Sequence, residues 1–345
     1  MTVPRQGRAL VGLGLVLVAT LALGVAVGSV WVPPTTVLRL LAWKLGLADR
    51  PADVARAVEV IVLELRLPRV LLAAVVGAAL AASGTVFQAL FRNPLADPAI
   101  IGVSSGAALG AVLVIVTVGA GSLAAFGVPI AAFLGALATG LLVYRLARIG
   151  PSVHLATLLL AGVAVAAVIS SAMSLVMAFS GEQLRDIYTW LLGGLVAQGW
   201  RSVAVTAPVV ALGIAAAAVT AHDLNVVSLG EERAAQLGVD VARLKRRALA
   251  AGALLAAAAV SVGGIIGFVG LMTPHLLRLV VGPDHRRLLP AVLLAGPTLL
   301  ILADLVARTV IAPQELPVGV VTALLGGPFF LVLLKREGDR ARGGA

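Results

Sequence analysis

ALAAGALLAAAAVSVGGIIGFVGLMTPHLLRLVVG, residues 248–282, is 35 residues long and carries no charge before Arg278. A single membrane-spanning helix takes roughly 17–25 residues, so one pass cannot use the whole run. Basic clusters flank it: Arg243, Lys245, Arg246 and Arg247 before, His285, Arg286 and Arg287 after. If basic loops stay on the cytoplasmic side, the chain must cross and return. The glycines of GGIIGFVG (263–270) can supply the reversal. The second pass, which contains Pro274, is expected to be short, a partial span.

The rest of the chain repeats this apolar character. Hydrophobic residues make up 60% of the 345, charged residues 12%, and mean hydropathy is +1.08. A soluble domain carries about 25% charged residues, so these values mark an integral membrane protein. No stretch alternates polar and apolar residues in ten-residue units, which excludes a β-barrel. Apolar segments fall near 9–32, 70–91, 99–120, 123–147, 155–179, 202–221, 248–265, 266–282, 288–311 and 317–334. The first follows a basic start, MTVPRQGR, and is longer than the 7–15 apolar residues of a signal peptide. It reads as an uncleaved span entering from the cytoplasm. The expectation is an all-α membrane protein of about ten transmembrane helices. Residues 1–345 form one transmembrane domain with no soluble domain, and both termini are cytoplasmic.

Charge supports that orientation. Of the 26 Lys and Arg, 17 fall inside and nine outside, while the 16 acids split evenly. The inner face is thus about +9 and the outer about +1, as the positive-inside rule requires. Trp31, Trp43, Trp190 and Trp200 all fall outside, like an interfacial belt. The net charge of +10 therefore needs no nucleic acid to explain it. The longest polar segments are 33–69 and 180–201 outside and 222–247 inside.

Several chemistries lack their residues. There is no cysteine, which excludes disulfides and thiolate sites. The lysines, 44, 245 and 335, do not follow glycine, so there is no Walker A loop. His154, His222, His275 and His285 have no metal-ligand spacing, so no metal or cofactor is expected, and His275 reads as a packed or capping residue. Gly102-Val103-Ser104-Ser105-Gly106 matches G-x-S-x-G but opens a membrane helix instead of a strand-to-helix elbow. Ion-coupled transporters keep carboxylates deep in their spans. Here only Asp304 and Arg308 qualify, four residues apart and close enough to pair. Many spans with neither ion relay nor ATP site suggest a pathway powered by another subunit, so the chain is not itself an enzyme.

Glycines mark close helix packing. Gly102, Gly106 and Gly110 share one helix face at four-residue spacing, and Gly77, Ala81 and Gly84 do similar work in the second span. Packing is the preferred reading, with a pathway lining as the alternative. Gly267 and Gly270, around the reversal, join this group.

One charged stretch interrupts the apolar chain: HDLNVVSLGEERAAQLGVDVARLKRR, 222–247. Ser228-Leu229-Gly230-Glu231 has the capping-box pattern, so a helix should start there and run through EERAAQL. Gly238 suits its C-terminal cap. Asp240 can cap a second short helix, VARLKRR. A plain connector needs few residues, so a stretch this long with defined caps favours a docking knob for a cytoplasmic partner.

At this point the chain resembles the FecCD-type permease subunits of binding-protein-dependent ABC importers. The resemblance rests on LRLPRVLLAAVVGAALAASGTVFQALFRNPLADPAIIGVSSGAALG (65–110), LLLAGVAV (158–165), SLGEERAAQLGV, IGFVGLMTPHLLRLVVGPDHRRLLP (266–290), LADLVART and ELPVGVVTALLGGPFFLVLLKR (315–336). One departure is Ile265, where the family often has proline. The resemblance implies the ABC importer type II permease fold in a bacterial cytoplasmic (inner) membrane. It implies a homodimer with two cytoplasmic ABC ATPase subunits and a periplasmic or lipid-anchored substrate-binding protein. It makes 222–247 the coupling loop, with Ser228, Gly230, Glu231, Glu232, Ala235, Leu237 and Gly238 at the ATPase. Arg66 and Arg308, near the outer ends of their spans, become docking contacts for the binding protein. The cargo it implies is a metal chelate, first an iron chelate (ferric siderophore or haem) and second cobalamin. An ion-coupled secondary transporter is the alternative from a different class.

Overall fold

The computed structural model describes residues 3–28, 30–119, 122–150, 152–195 and 199–343. Residues 29 and 120, in two expected spans, and 196–198, in the expected outer segment, lie outside the described residues, as do residues 1, 2, 344 and 345 at the termini.

The elements in order are α1 (Val3–Ala26), α2 (Pro34–Lys44), α3 (Arg56–Val60), a π-helical stretch (Ile61–Arg66), α4 (Leu67–Leu90), a 3-10 turn (Pro98–Ile101), α5 (Val103–Val118) and α6 (Ser122–Ala147). A two-residue ladder, β1 (Arg148–Ile149) with β2 (Ser152–Val153), turns the chain into α7 (Leu155–Ala178). Then come α8 (Leu184–Leu191), α9 (Trp200–Val227), α10 (Glu231–Gln236), α11 (Val241–Gly263), α12 (Val269–Val281), α13 (His285–Thr309) and α14 (Val318–Gly343).

Among the described residues, 8 helical runs are long and apolar enough to span a membrane, and Val103–Val118 and Val269–Val281 are shorter apolar helices. Together they account for the ten expected segments. The run 248–282 does reverse, between Gly263 and Val269. Its second arm, α12, has 13 residues. At 1.5 Å per residue it reaches about 20 Å, short of a ~30 Å hydrocarbon core.

Some boundaries differ from expectation. Helix runs unbroken from Arg56 to Leu90, so much of the outer segment 33–69 is helical. Gly102 stands outside α5, in a left-handed turn with φ +77°. VARLKRR is not a separate helix but the first turns of α11.

α4 is the axis of the bundle, packing against α9, α11, α12 and α13. Its small residues permit this. A Cβ on Gly77 would lie 2.5 Å from the Gly296 carbonyl oxygen, and one on Gly84 only 1.8 Å from that of Gly270. Any side chain there must drive α4 away from α13 or α12. The same close approach joins α5 to α6, through Gly106 against Gly135 and Gly110 against Ala131. Larger side chains, among them Leu72, Phe87, Leu255 and Leu300, fill the spaces between these contacts.

The bundle has two distinct ends. The connector end gathers the C-termini of α4, α9 and α12 and the N-termini of α11 and α13, through Gln88–Arg278, Asn225–Asp284 and Lys245–Val153. The opposite end gathers the C-termini of α1 and α13 and the N-termini of α4 and α9, through Arg308–Gly24, Arg69–Asp304 and Trp200–Leu63.

Candidate functional site

At the connector end, α9 continues to Val227 and the knob α10 stands beyond it. The capping box does not form. Ser228 Oγ donates to Asn225 O at 2.6 Å, finishing α9, and Gly230 (φ +115°) is the N-cap of α10 with no side-chain cap. Ser228 is the C-cap of α9, and the N-cap position of α10 falls two residues later, on Gly230. The other two caps do form. Gly238 N donates to Ala235 O and Val239 N to Ala234 O, each at 3.0 Å, a Schellman ending that needs the φ of +87° at Gly238. Asp240 Oδ1 accepts from Arg243 N at 2.9 Å and starts α11.

The knob is held as well as capped. Lys245 Nζ lies 2.7 Å from Glu231 Oε2 and donates to Val153 O at 3.2 Å, tying α10, α11 and the α6–α7 turn. Ala234 is buried beneath the knob, while Leu229, Glu232, Ala235 and Leu237 face outward. The expected coupling residues therefore divide. Glu231, Gly230, Gly238 and Ser228 shape the knob, whereas Glu232, Ala235 and Leu237 form its surface.

Beside the knob, Asn225 links α9 to α13. Its Nδ2 donates to Asp284 Oδ1 at 2.7 Å, and its Oδ1 accepts from His285 N at 2.8 Å with His285 Nδ1 at 2.7 Å. An oxygen there requires the proton on Nδ1. Burial pulls the Asp284 carboxyl upward, but the Arg286 amide, Asn225 and the charges of Arg287 and Arg286 hold it below the usual range. Gln88 and Arg278 join α4 to α12 at the same end. Asp97, which caps the 3-10 turn by accepting from Ala99 N at 2.8 Å, is pushed up by burial against that hydrogen bond.

The opposite end is built on arginines. Arg66 and Arg308 were expected to reach outward, but their relative exposures are 6% and 5%. Arg66 donates to Val25 O at 3.2 Å, to Ala26 O at 2.9 Å and to Val30 O, and Arg308 donates to Gly24 O. The Gly24, Val25 and Ala26 carbonyls end α1 and lack intrahelical donors, and Val30 lies in the turn just beyond it. Asp304 pairs first with Arg69, Nη2–Oδ1 2.8 Å, and more loosely with Arg308, Nε–Oδ2 3.6 Å. Arg69 also reaches Glu315 at 2.8 Å. A pocket of about 340 Å³ opens here, lined by Arg66, Arg69, Arg308, Glu64 and Glu315 among others. Arg69 and Glu315 were not singled out in the sequence. Arg69 stands three residues after Arg66 in LRLPR, so its place on the same helix was readable, but its partner across 235 residues was not.

The glycines mostly pack. Of the five glycines expected to pack or line the pathway, Gly106, Gly110 and Gly270 meet backbone of neighbouring helices, Gly102 lies against Thr139 and Ser105, and Gly267 has nothing within 4 Å of where its Cβ would be. His275 packs edge-on to Phe329, ring centres 5.9 Å apart.

A helical bundle of ten apolar segments, with a clamped charged knob at one end and an arginine-lined pocket at the other, is a multi-pass membrane permease. The chain belongs to the FecCD transport family, whose model matches residues 15–336. It is 49% identical over 288 residues to the cobalamin import system permease protein BtuC of Halobacterium salinarum, covering 84% of this chain and 77% of that one. It is 43% identical to the hemin transport system permease protein HmuU of Yersinia pestis, over 98% of each chain. A solved structure described as a metal-chelate type ABC transporter in an inward-facing conformation matches with TM-score 0.82 and 33% identity, over 96% of this chain and 99% of that one. The protein is thus an ABC importer permease, a transport component.

Proposed function

We propose that this chain is the translocating subunit of an ATP-driven importer for an intact metal chelate, first haem or a ferric siderophore. It works as a homodimer in the cytoplasmic membrane with both termini inside. Two ABC ATPase subunits bind the connector end and hydrolyse the ATP. A periplasmic or lipid-anchored binding protein delivers cargo at the opposite end, where an acidic side chain entering the pocket meets Arg66 and Arg308.

The clamped knob carries this reading. Glu231 and Lys245 fix α10 on α11, so a push on the outward Leu229, Ala235 and Leu237 moves α11 and, through it, α4. The haem relative over 98% of the chain supports the first cargo. The cobalamin relative at 49% identity supports cobalamin as the second reading.

The test is uptake in proteoliposomes containing this chain, its ATPase and its binding protein, with labelled haem, ferric siderophore and cobalamin offered separately. ATP-dependent accumulation of haem or ferric siderophore is expected. Accumulation of cobalamin alone selects the second reading. Uptake driven by an ion gradient without the ATPase overturns the importer model in favour of a secondary transporter.

A further inference from the structure

α6 and α9 each pack on α11, which sits back between them. α11 is mostly buried, while α6 and α9 turn large apolar side chains outward, such as Leu134 and Leu141 on α6 and Val205 and Leu212 on α9. The result is a crevice with α6 as one wall and α11 as its floor.

Two cavities lie end to end along it. One, of about 180 Å³, is lined by Pro129, Phe133, Val209 and Val262 among others. The other, of about 520 Å³ and nearer the connector end, is lined by Leu137, Gly140, Leu141, Leu249 and Ala253, with Tyr144 and Arg246. From Pro129 to Tyr144 the α6 axis rises about 22 Å, more than one leaflet's share of a ~30 Å hydrocarbon core.

The polar groups of the larger cavity belong to its connector end. Arg246 is exposed and forms no ion pair among the described residues. Its neighbour Arg247 and, on α6, Arg145 are exposed too. A guanidinium matches a phosphate in bidentate geometry. An apolar crevice at membrane depth offers water no partners, but it offers an acyl chain dispersion contacts along its length.

We infer that this crevice binds an anionic phospholipid of the connector-side leaflet, with its acyl chain along α6 and α11 and its phosphate on Arg246. Charge complementarity separates this occupant from a second copy of the chain. A copy lying parallel in the membrane would bring its own basic connector end to Arg246, like charge against like. The inference rests on the chain lying in a bilayer, not on the cargo proposed above.

The test is native mass spectrometry of the full permease, purified in detergent with phosphatidylglycerol and phosphatidylcholine in equal amounts. Wild type should retain phosphatidylglycerol preferentially. Arg246→Gln should lower that preference about fivefold, the attraction of one basic residue near a headgroup. Arg246→Lys should keep part of it, and Arg8→Gln, another exposed cation, should leave it unchanged. Ala250→Phe, which places a ring on the exposed floor, should reduce retention of both lipids. Equal retention by wild type, or an unchanged preference in Arg246→Gln, overturns the headgroup site. Unchanged retention in Ala250→Phe overturns the acyl slot. A disulfide between copies formed through Leu141→Cys would place a second protein chain there instead.

Discussion

Arg69 on α4 grips Asp304 on α13 through three contacts, Nη2–Oδ1 at 2.8 Å, Nε–Oδ1 at 3.0 Å and Nε–Oδ2 at 3.2 Å. Asp304 is fully buried, and Arg308 lies on its other side at 3.6 Å. Asp304→Ala therefore leaves the buried Arg308 without a carboxylate and Arg69 with Glu315 alone. Removing one partner of a buried pair costs about 3–5 kcal/mol. The variant should unfold at clearly lower temperature in detergent, and Arg69→Met with Asp304→Leu should lose less than Asp304→Ala alone. A wild-type melting temperature for Asp304→Ala would show that the pair does not hold α4 to α13.

The knob predicts two distinguishable phenotypes. Leu237→Ser changes only an exposed side chain, so it should weaken co-purification of the ATPase while leaving hydrogen exchange in α10 unchanged. Glu231→Gln loosens the contact with Lys245, so it should raise exchange across 228–240 first. Identical effects of the two variants on exchange would remove the division between surface and clamp.

The ten segments, the reversal at 263–269 and the Gly238 and Asp240 caps were legible because each is a local pattern: apolar length, basic flanks, or a residue suited to one backbone conformation. The capping box failed because α9 runs on to Val227 and takes Ser228 as its own C-cap, so the N-cap of α10 falls two residues later, on Gly230. The clamp of Glu231 by Lys245 and the grip of Arg69 on Asp304 were not legible. Their partners are 14 and 235 residues apart, and only the packing of α10 on α11 and of α4 on α13 brings them together. Burial of Arg66 and Arg308 was missed for a related reason. Their acceptors are backbone carbonyls at and just after the end of α1, and every sequence offers carbonyls.

That burial alters the expected salt response of docking. Arg66→Glu with Arg308→Glu should lower affinity for the binding protein about tenfold, or about 1.4 kcal/mol. Exposed charges would lose this effect at high salt, but buried groups are screened much less. The deficit should therefore persist as salt rises. Reversing acidic residues on the partner should partly restore binding, which simple loosening of α1 would not permit. Unchanged affinity in the double variant, with the ATPase still bound, would remove both arginines from the docking site.

Asp97 gives a pH signature. Burial raises its pKa, so the folded state holds its proton at pH values where the unfolded chain has lost it. Its contribution to stability is full below the unfolded value of about 3.9 and falls as pH rises through the raised folded value. Asp97→Asn keeps an acceptor for Ala99 N without the charge. It should flatten the pH dependence of melting over that window and match or exceed wild type above it. A variant whose melting curve tracks wild type at every pH would show that Asp97 ionises normally.

The reversal at 263–269 fixes the topology and can be tested directly. It requires the start of α11 and the start of α13 to face the same side of the membrane, because the chain enters along α11 and returns along α12. The absence of native cysteine makes single-cysteine labelling clean. Lys245 is a poor site, since it is 6% exposed and clamped to Glu231. Arg243 and Arg286 are exposed at the two starts, and Leu47, 78% exposed, marks the opposite end. In sealed cells an impermeant maleimide should label Leu47→Cys but neither Arg243→Cys nor Arg286→Cys, and permeabilised cells should label all three. This pattern is expected because the sequence assigns 17 of the 26 Lys and Arg to the side of the connector end, which the positive-inside bias should keep cytoplasmic. Labelling of Arg286→Cys from outside, with Arg243→Cys protected, would mean that 248–282 crosses only once and that α12 does not return the chain.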